Sequence, residues 1–150
     1  MDEAMVEAVC ISKHKGTIKT PIKKASLREE HGLVDDAHAG KWHRQVSLLA
    51  VESITKMQKM GLKVSPGSFG ENITTSGITL HTLSLGTKIQ INENILLEVT
   101  QIGKECHSPC AIGRTIGNCI MPEEGIFARV LRGGEIKPKD KIKVIISNRL

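Results

Sequence analysis

The chain has 150 residues and a formal net charge of +5, with 39% apolar residues and an aromatic set of 2 Phe, 1 Trp and no Tyr. That length suffices for one domain, spanning 1–150, with its own core, and the spread of Ile, Leu and Val along it argues against disorder. The positive balance favours acidic or phosphorylated partners, but the lysines sit in small groups rather than one basic helix and few rings are present to stack bases, so nucleic acid is disfavoured.

Met1-Asp2-Glu3-Ala4-Met5 is acidic where a secretory signal would be basic, and no apolar run approaches the length that spans a bilayer. A cytoplasmic chain without membrane contact is the expectation. In a reduced setting the four cysteines, Cys10, Cys106, Cys110 and Cys119, point to metal binding or catalysis rather than to crosslinks.

Ala8-Val9-Cys10-Ile11-Ser12 reads as an opening strand, in which Cys10 serves as a small buried apolar residue. A lysine-rich polar loop follows from Lys13 to Thr20, and Pro21 interrupts what comes next. Gly32 to Leu49 packs Asp36, His38, Trp42 and Arg44 ahead of the strand-like Val46-Ser47-Leu48-Leu49. Arg44 can hold a carboxylate or phosphate through two parallel hydrogen bonds, with Asp36 orienting His38 or Arg44. The plain alternative is a solvated loop in which Asp and Arg pair with each other.

Val51 to Gly61 reads as a helix. Val51, Ile54 and Met57 share one face, Glu52 and Lys56 form an i,i+4 pair, and Gly61 supplies the stop. Pro66-Gly67-Ser68-Phe69-Gly70-Glu71-Asn72-Ile73-Thr74-Thr75 follows, either an anion-holding nest of backbone amides or a tight turn leading into a strand. It lacks the ending of a nucleotide P-loop.

The second half reads as strands. Gly86 to Ile91 and Ile95 to Gln101 form a hairpin about Asn92-Glu93-Asn94, and Gly125 to Leu131 with Lys139 to Ile146 form another about Gly133-Gly134. Glu123 and Glu124, after Pro122, fall on a solvated turn. Many short strands with one or two short helices specify a mainly β fold, a closed or partly open β-barrel. Nothing in the order of elements calls for a parallel sheet.

Between the strand segments lies Gln101-Ile102-Gly103-Lys104-Glu105-Cys106-His107-Ser108-Pro109-Cys110. A cysteine where strand meets loop is the leading candidate for chemistry, because Lys104 and Arg114 can lower a thiol pKa and the thiolate is both nucleophile and metal ligand. Cys110 can resolve a persulfide or disulfide at Cys106 or simply pack. A structural zinc site from Cys106, His107, Cys110 and Cys119 competes on spacing, but adjacent Cys106 and His107 are poorly placed to ligate together.

Taken in order, Gly32 to Leu49, Gly67 to Thr75, Gln101 to Cys106, and Gly125 to Gly134 with Asp140 resemble the MOSC domain, named from the C-terminal domain of molybdenum cofactor sulfurases, and most closely its small stand-alone bacterial members. The resemblance covers most of the chain from about residue 30 onward and implies a barrel whose pocket surrounds one reactive cysteine, placed at Cys106. It implies association with molybdenum cofactor, its biosynthetic or acceptor proteins and a sulfur donor, and, by family association alone, with pyridoxal phosphate.

Carried over residue by residue, the resemblance puts Asp36, His38, Arg44, Gly67, Glu71 and Asn72 on pocket motifs, with Lys104 and Arg114 as further cofactor-binding candidates. Cys106 is then a sulfur carrier or a molybdenum ligand. The alternatives are a non-catalytic module that binds cofactor or partner, and a reductase of N-hydroxylated compounds with cysteine-ligated molybdenum. The reductase members carry additional N-terminal sequence that this chain lacks. The chain departs from the family pattern at Asp35 and Lys139, where Gly is frequent, and at Ala37, where a basic residue is common.

Overall fold

The computed structural model describes residues 3–15, 17–103 and 120–145, with the side chains of Met121 and Pro122 excepted. The strands are β1 Met5–Ile11, β2 Thr20–Ile22, β3 Ala25–Arg28, β4 Gly32–Leu33, β5 Val46–Ala50, β6 Ile73–Ser76, β7 Lys88–Ile91, β8 Ile95–Ile102, β9 Ile126–Arg132, β10 Gly134–Ile136 and β11 Ile142–Ile145. Helix α1 covers Val51–Lys59, a 3-10 turn covers Leu80–Thr82, and the single turn α2 covers Met121–Glu124.

Eight strands form one sheet in the order β11-β7-β8-β9-β5-β6-β1-β2, and β10, β3 and β4 form a second. Among the described residues no continuous ladder closes the large sheet. The start of β1, next to the β2 edge, meets the residues leading into β11 through one bridge, Met5 to Lys141, with Val6 N–H donating to the Asp140 carbonyl at 2.8 Å and Lys139 N–H to the Val6 carbonyl at 2.7 Å. The mainly β, partly open form is thus the one adopted. Pro21 fits because β2 is an edge, where the missing N–H breaks no ladder.

The hairpin of β7 and β8 follows from alternation. Ile89 and Ile91 face Leu97 and Ile95 across the pair, and all four are buried. They belong to the main core with Leu48, Val99, Ala128 and Val130, while Leu49, Ile54, Met57, Phe69 and Phe127 form a second cluster where α1 packs. β5 is buried along its whole length because it separates the two.

Four expectations change. β9, β10 and β11 form no hairpin: β9 pairs with β8 and β5, β10 crosses to β3, and β11 lies on β7. β5 and β6 run parallel with α1 between them, so one strand–helix–strand crossover is present despite the antiparallel grammar elsewhere. Glu52 and Lys56 do not meet; Glu52 accepts the Gly77 amide at 2.9 Å, and Lys56 pairs with Glu124. Glu124 is therefore tied down rather than solvated, and Ser53 Oγ donates to it at 2.6 Å. Gly61 ends the helix as expected, with φ +94°.

Candidate functional site

The site is built around a buried lysine that the sequence leaves among its surface lysines. Lys19 stands just before β2, and its Nζ lies 2.8 Å from Asp36 Oδ1, with both side chains fully buried. Asp36 sits in the turn after β4 and also accepts the amides of Ser12 and His38, each at 3.0 Å. Burial pushes its carboxyl up, but the hydrogen bond and charge of Lys19 and the two amides outweigh this and hold it below its ordinary value of 3.8. Asp36 therefore orients His38 through the backbone. This is the His38 branch of the pocket reading; Asp36 does not pair with Arg44, as the solvated-loop alternative had it, and the loop is neither solvated nor self-paired at this point.

His38 lies half-buried with Nδ1 3.0 Å from Lys19 Nζ. Its carbonyl accepts the Trp42 indole N–H at 2.7 Å, and the two rings stack with centroids 6.4 Å apart. Lys15 Nζ stands 4.8 Å from the Trp42 ring centroid, a cation–π contact that adds positive charge to the same face.

Arg44 is fixed separately. Its Nε donates to Gln101 Oε1 at 3.0 Å, His43 Nε2 donates to the same oxygen at 2.9 Å, and the Gln101 amide donates to the Gly103 carbonyl at 2.8 Å. The guanidinium carbon stands 5.1 Å from the Phe127 ring centroid. A bulge explains how Gln101 reaches the loop. Val99 opposes Ala128 while Gln101 opposes Phe127, so Thr100 is the extra residue, and its hydroxyl donates to the His43 carbonyl. An open groove lies against this loop, lined by Trp42, His43, Thr100 and Arg129 among others.

Gly67, Glu71 and Asn72 hold the frame beneath. Gly67 has φ +93°, and a Cβ there would stand 2.1 Å from the Lys19 carbonyl oxygen, so only glycine lets the two segments meet. Its N–H donates to Glu71 Oε2 at 2.8 Å, and the Gly70 N–H donates to the Gly67 carbonyl. The turn's amide is thus taken by the chain's own Glu71 carboxyl, so of the two sequence readings the tight turn leading into a strand is the one seen. Burial raises the Glu71 carboxyl above its ordinary 4.5, against the lowering effect of hydrogen bonds from Gly67 and Thr74. Asn72 accepts the Ser47 amide at 3.0 Å and donates to the Cys10 carbonyl at 3.1 Å, joining β5 to β1.

Cys10 is fully buried, and its thiol is pushed up to about 12 by burial and by the Glu71 charge, with Lys19 opposing. It acts as the small apolar residue expected, with no thiolate for chemistry near neutral pH. Cys106, Lys104, Arg114, His107, Cys110 and Cys119, with the zinc alternative built on them, lie outside the described residues. Among the described residues no group of three or more His, Cys, Asp or Glu is placed to hold a metal ion.

Of the residues singled out from the sequence, the fold brings Asp36, His38 and Gly67 together about Lys19, and sets Arg44 on Gln101 at the end of β8. Lys19 and Gln101 as an arginine anchor were missed. Neighbouring lysines look alike in sequence, and a bulge leaves no mark in periodicity.

The model of the MOSC domain matches residues 35–143. Three solved structures share the fold: the YuaD protein from Bacillus subtilis, at 20% identity over 95% of this chain and 96% of that one with a TM-score of 0.78; YiiM from Geobacillus stearothermophilus, at 21% over 95% and 75% with 0.71; and YiiM from Escherichia coli, at 17% over 95% and 70% with 0.66. No curated protein matches the sequence.

Proposed function

The chain belongs to the MOSC domain family, and on that footing we propose that it binds molybdenum cofactor, with Arg44 and His38 as ligand contacts and Cys106 as the sulfur that meets the cofactor or carries sulfur for it. The observation that carries this reading is the Gln101 bridge. One glutamine fixes Arg44 and His43 through Oε1, and it stands five residues before Cys106 in the same motif.

The residues present fit such a group. Arg44 uses Nε to hold its position and keeps the planar fork of Nη groups for a phosphate, while Lys15 stands over the Trp42 ring and Lys41 and His43 line the adjacent groove. A cysteine thiolate is the soft ligand that a high-valent molybdenum centre takes, and the bound cofactor would supply that centre and its redox chemistry. The protein's share is to seat the phosphate, to place His38 against the bound group and to offer one thiolate. In the sulfur-carrying role the Cys106 thiolate attacks the outer sulfur of a persulfide donor, the donor's S–S bond breaks with release of the donor thiolate, and the persulfide left on Cys106 passes its outer sulfur to a nucleophilic acceptor with return of the Cys106 thiolate.

Purified protein mixed with cofactor released from a molybdoenzyme, then desalted, should retain molybdenum and pterin together, read by elemental analysis and pterin fluorescence. Arg44→Ala should weaken retention roughly ten- to a hundredfold, the cost of one charge-assisted contact. Cys106→Ser should lose the molybdenum while keeping the fold. Wild-type protein that retains neither molybdenum nor pterin would overturn the reading. Mass spectrometry after incubation with a persulfide donor separates the roles: added sulfur on Cys106 that moves to an acceptor marks the carrier, and binding without covalent change marks the module.

A further inference from the structure

We propose that the loop after β1 and the turn before β5 form one cationic surface on which an acidic segment of a partner protein docks. The sequence holds no Asp or Glu from Ala8 to Arg28 and none from Ala37 to Val51, and Lys13, Lys15, Lys41 and Arg44 fall in these stretches. The fold brings the two together. Ser12 N–H donates to Asp36 Oδ1 at 3.0 Å, Ala37 N–H donates to the Ser12 carbonyl at 2.9 Å, and Lys15 Nζ stands 4.8 Å from the Trp42 ring centroid. Thr17 Oγ1 donates to the His14 carbonyl at 2.9 Å, which folds the lysine-bearing loop back on itself.

The charge of this surface is not neutralised from within. Lys13, Lys15 and Lys41 are exposed, and none of them has an ion-pair partner among the described residues, whereas Lys24, Lys137 and Lys141 each stand against an acid. Arg44 is held by the neutral amide of Gln101. Of the acids nearby, Asp36 is buried on Lys19, Glu30 pairs with Arg129 at 3.5 Å, and exposed Asp35 sets one charge against four. The half-buried Trp42 ring lies among the cations, and Ile18 in the same loop is 53% exposed. Cations about an indole beside an aliphatic side chain suit a protein segment that carries carboxylates with apolar residues between them. A nucleic-acid strand calls for several rings on which to stack bases, and here both Phe are buried and Trp42 is the single Trp. Docking does not depend on the cofactor reading; that the docked protein delivers or takes the group held at Arg44 rests on it.

The test uses the full-length protein without cofactor, labelled with 15N. The probe is a short acetylated and amidated peptide of glutamates with leucine at intervals, compared with its glutamine counterpart and with an oligouridylate. Backbone amide shifts should move at Lys13, Lys15 and Lys41 to Arg44, with an affinity that falls as salt is raised, and the glutamine peptide should leave them in place. Lys13→Glu/Lys15→Glu/Lys41→Glu should weaken the acidic peptide by about tenfold or more, the sum of three exposed charge contacts reversed. Amides that do not move in the wild type, or that move only along Lys137 to Lys143, would overturn the proposal. So would a folded triple variant that binds the peptide as the wild type does. Tighter binding of the oligouridylate at the same amides would assign the surface to nucleic acid instead. The wild-type map decides even if the triple variant does not fold. None of these measurements involves molybdenum or pterin, so the docking surface and the cofactor reading fail separately.

Discussion

A charged pair sealed from water makes Lys19 and Asp36 the residues on which substitution bears hardest. Asp36→Asn leaves a buried ammonium without its counter-charge, and the expected cost is about 3–5 kcal/mol in urea unfolding at neutral pH. Lys19→Met/Asp36→Asn removes both charges and should recover most of it. Because Asp36 is held below 3.8, its contribution is complete above that pH and disappears as pH falls through the folded-state value, so Asp36→Asn should flatten the acid limb of the stability curve. Glu71 acts in the opposite sense. Its raised pKa makes its share of stability decline as pH climbs from 4.5 through the folded value, and Glu71→Gln should remove that decline.

Asp35 and Lys139, where the resemblance read from the sequence implied Gly, have φ of +73° and +79°. The chain keeps the left-handed backbone and bears its strain. Lys139→Gly should raise stability by about 0.5–1 kcal/mol in thermal unfolding, the left-handed penalty less the added freedom of glycine in the unfolded chain. Asp36, His38 and Arg44 were legible as a dense polar group ahead of a strand. Lys19 was not, since five lysines crowd 13–24 and burial singles out only one.

Among the elements, two small irregularities decide how the site is assembled. The turn at Gly67 lets the Lys19 backbone rest on it, and the bulge at Thr100 turns Gln101 towards Arg44. Gly67→Ala combines a left-handed φ with an overlap against the Lys19 carbonyl. The expected loss is roughly 2–5 kcal/mol, read by denaturant unfolding, together with weaker cofactor retention as Lys19 is displaced. An alanine that costs nothing would show that the two segments part easily. The β7–β8 hairpin was readable because its partners are sequence neighbours and its faces alternate. The destinations of β10 and β11 were not, because alternation says which face a strand buries and nothing about which strand it joins.

Across the whole molecule, local stability should follow position in the sheet. β8, β9 and β5 are paired on both sides and lie over the main core, while β2 is an edge and β4 contributes two residues to the smaller sheet. Amide hydrogen exchange should therefore be slowest in β5, β8 and β9 and fastest in β2 and β4. Fast exchange in β8 would contradict a central strand anchoring Gln101.

The mainly β architecture, the extent of helix α1 and the family were all written in the order of residues, because alternation, glycine stops and short motifs are properties of neighbours along the chain. The parallel crossover, the ion pair of Lys19 with Asp36 and the grip of Gln101 on Arg44 arose from folding alone. Each joins segments 17 to 57 residues apart, and their chemistry depends on burial and on the direction in which a side chain points, neither of which a linear pattern carries.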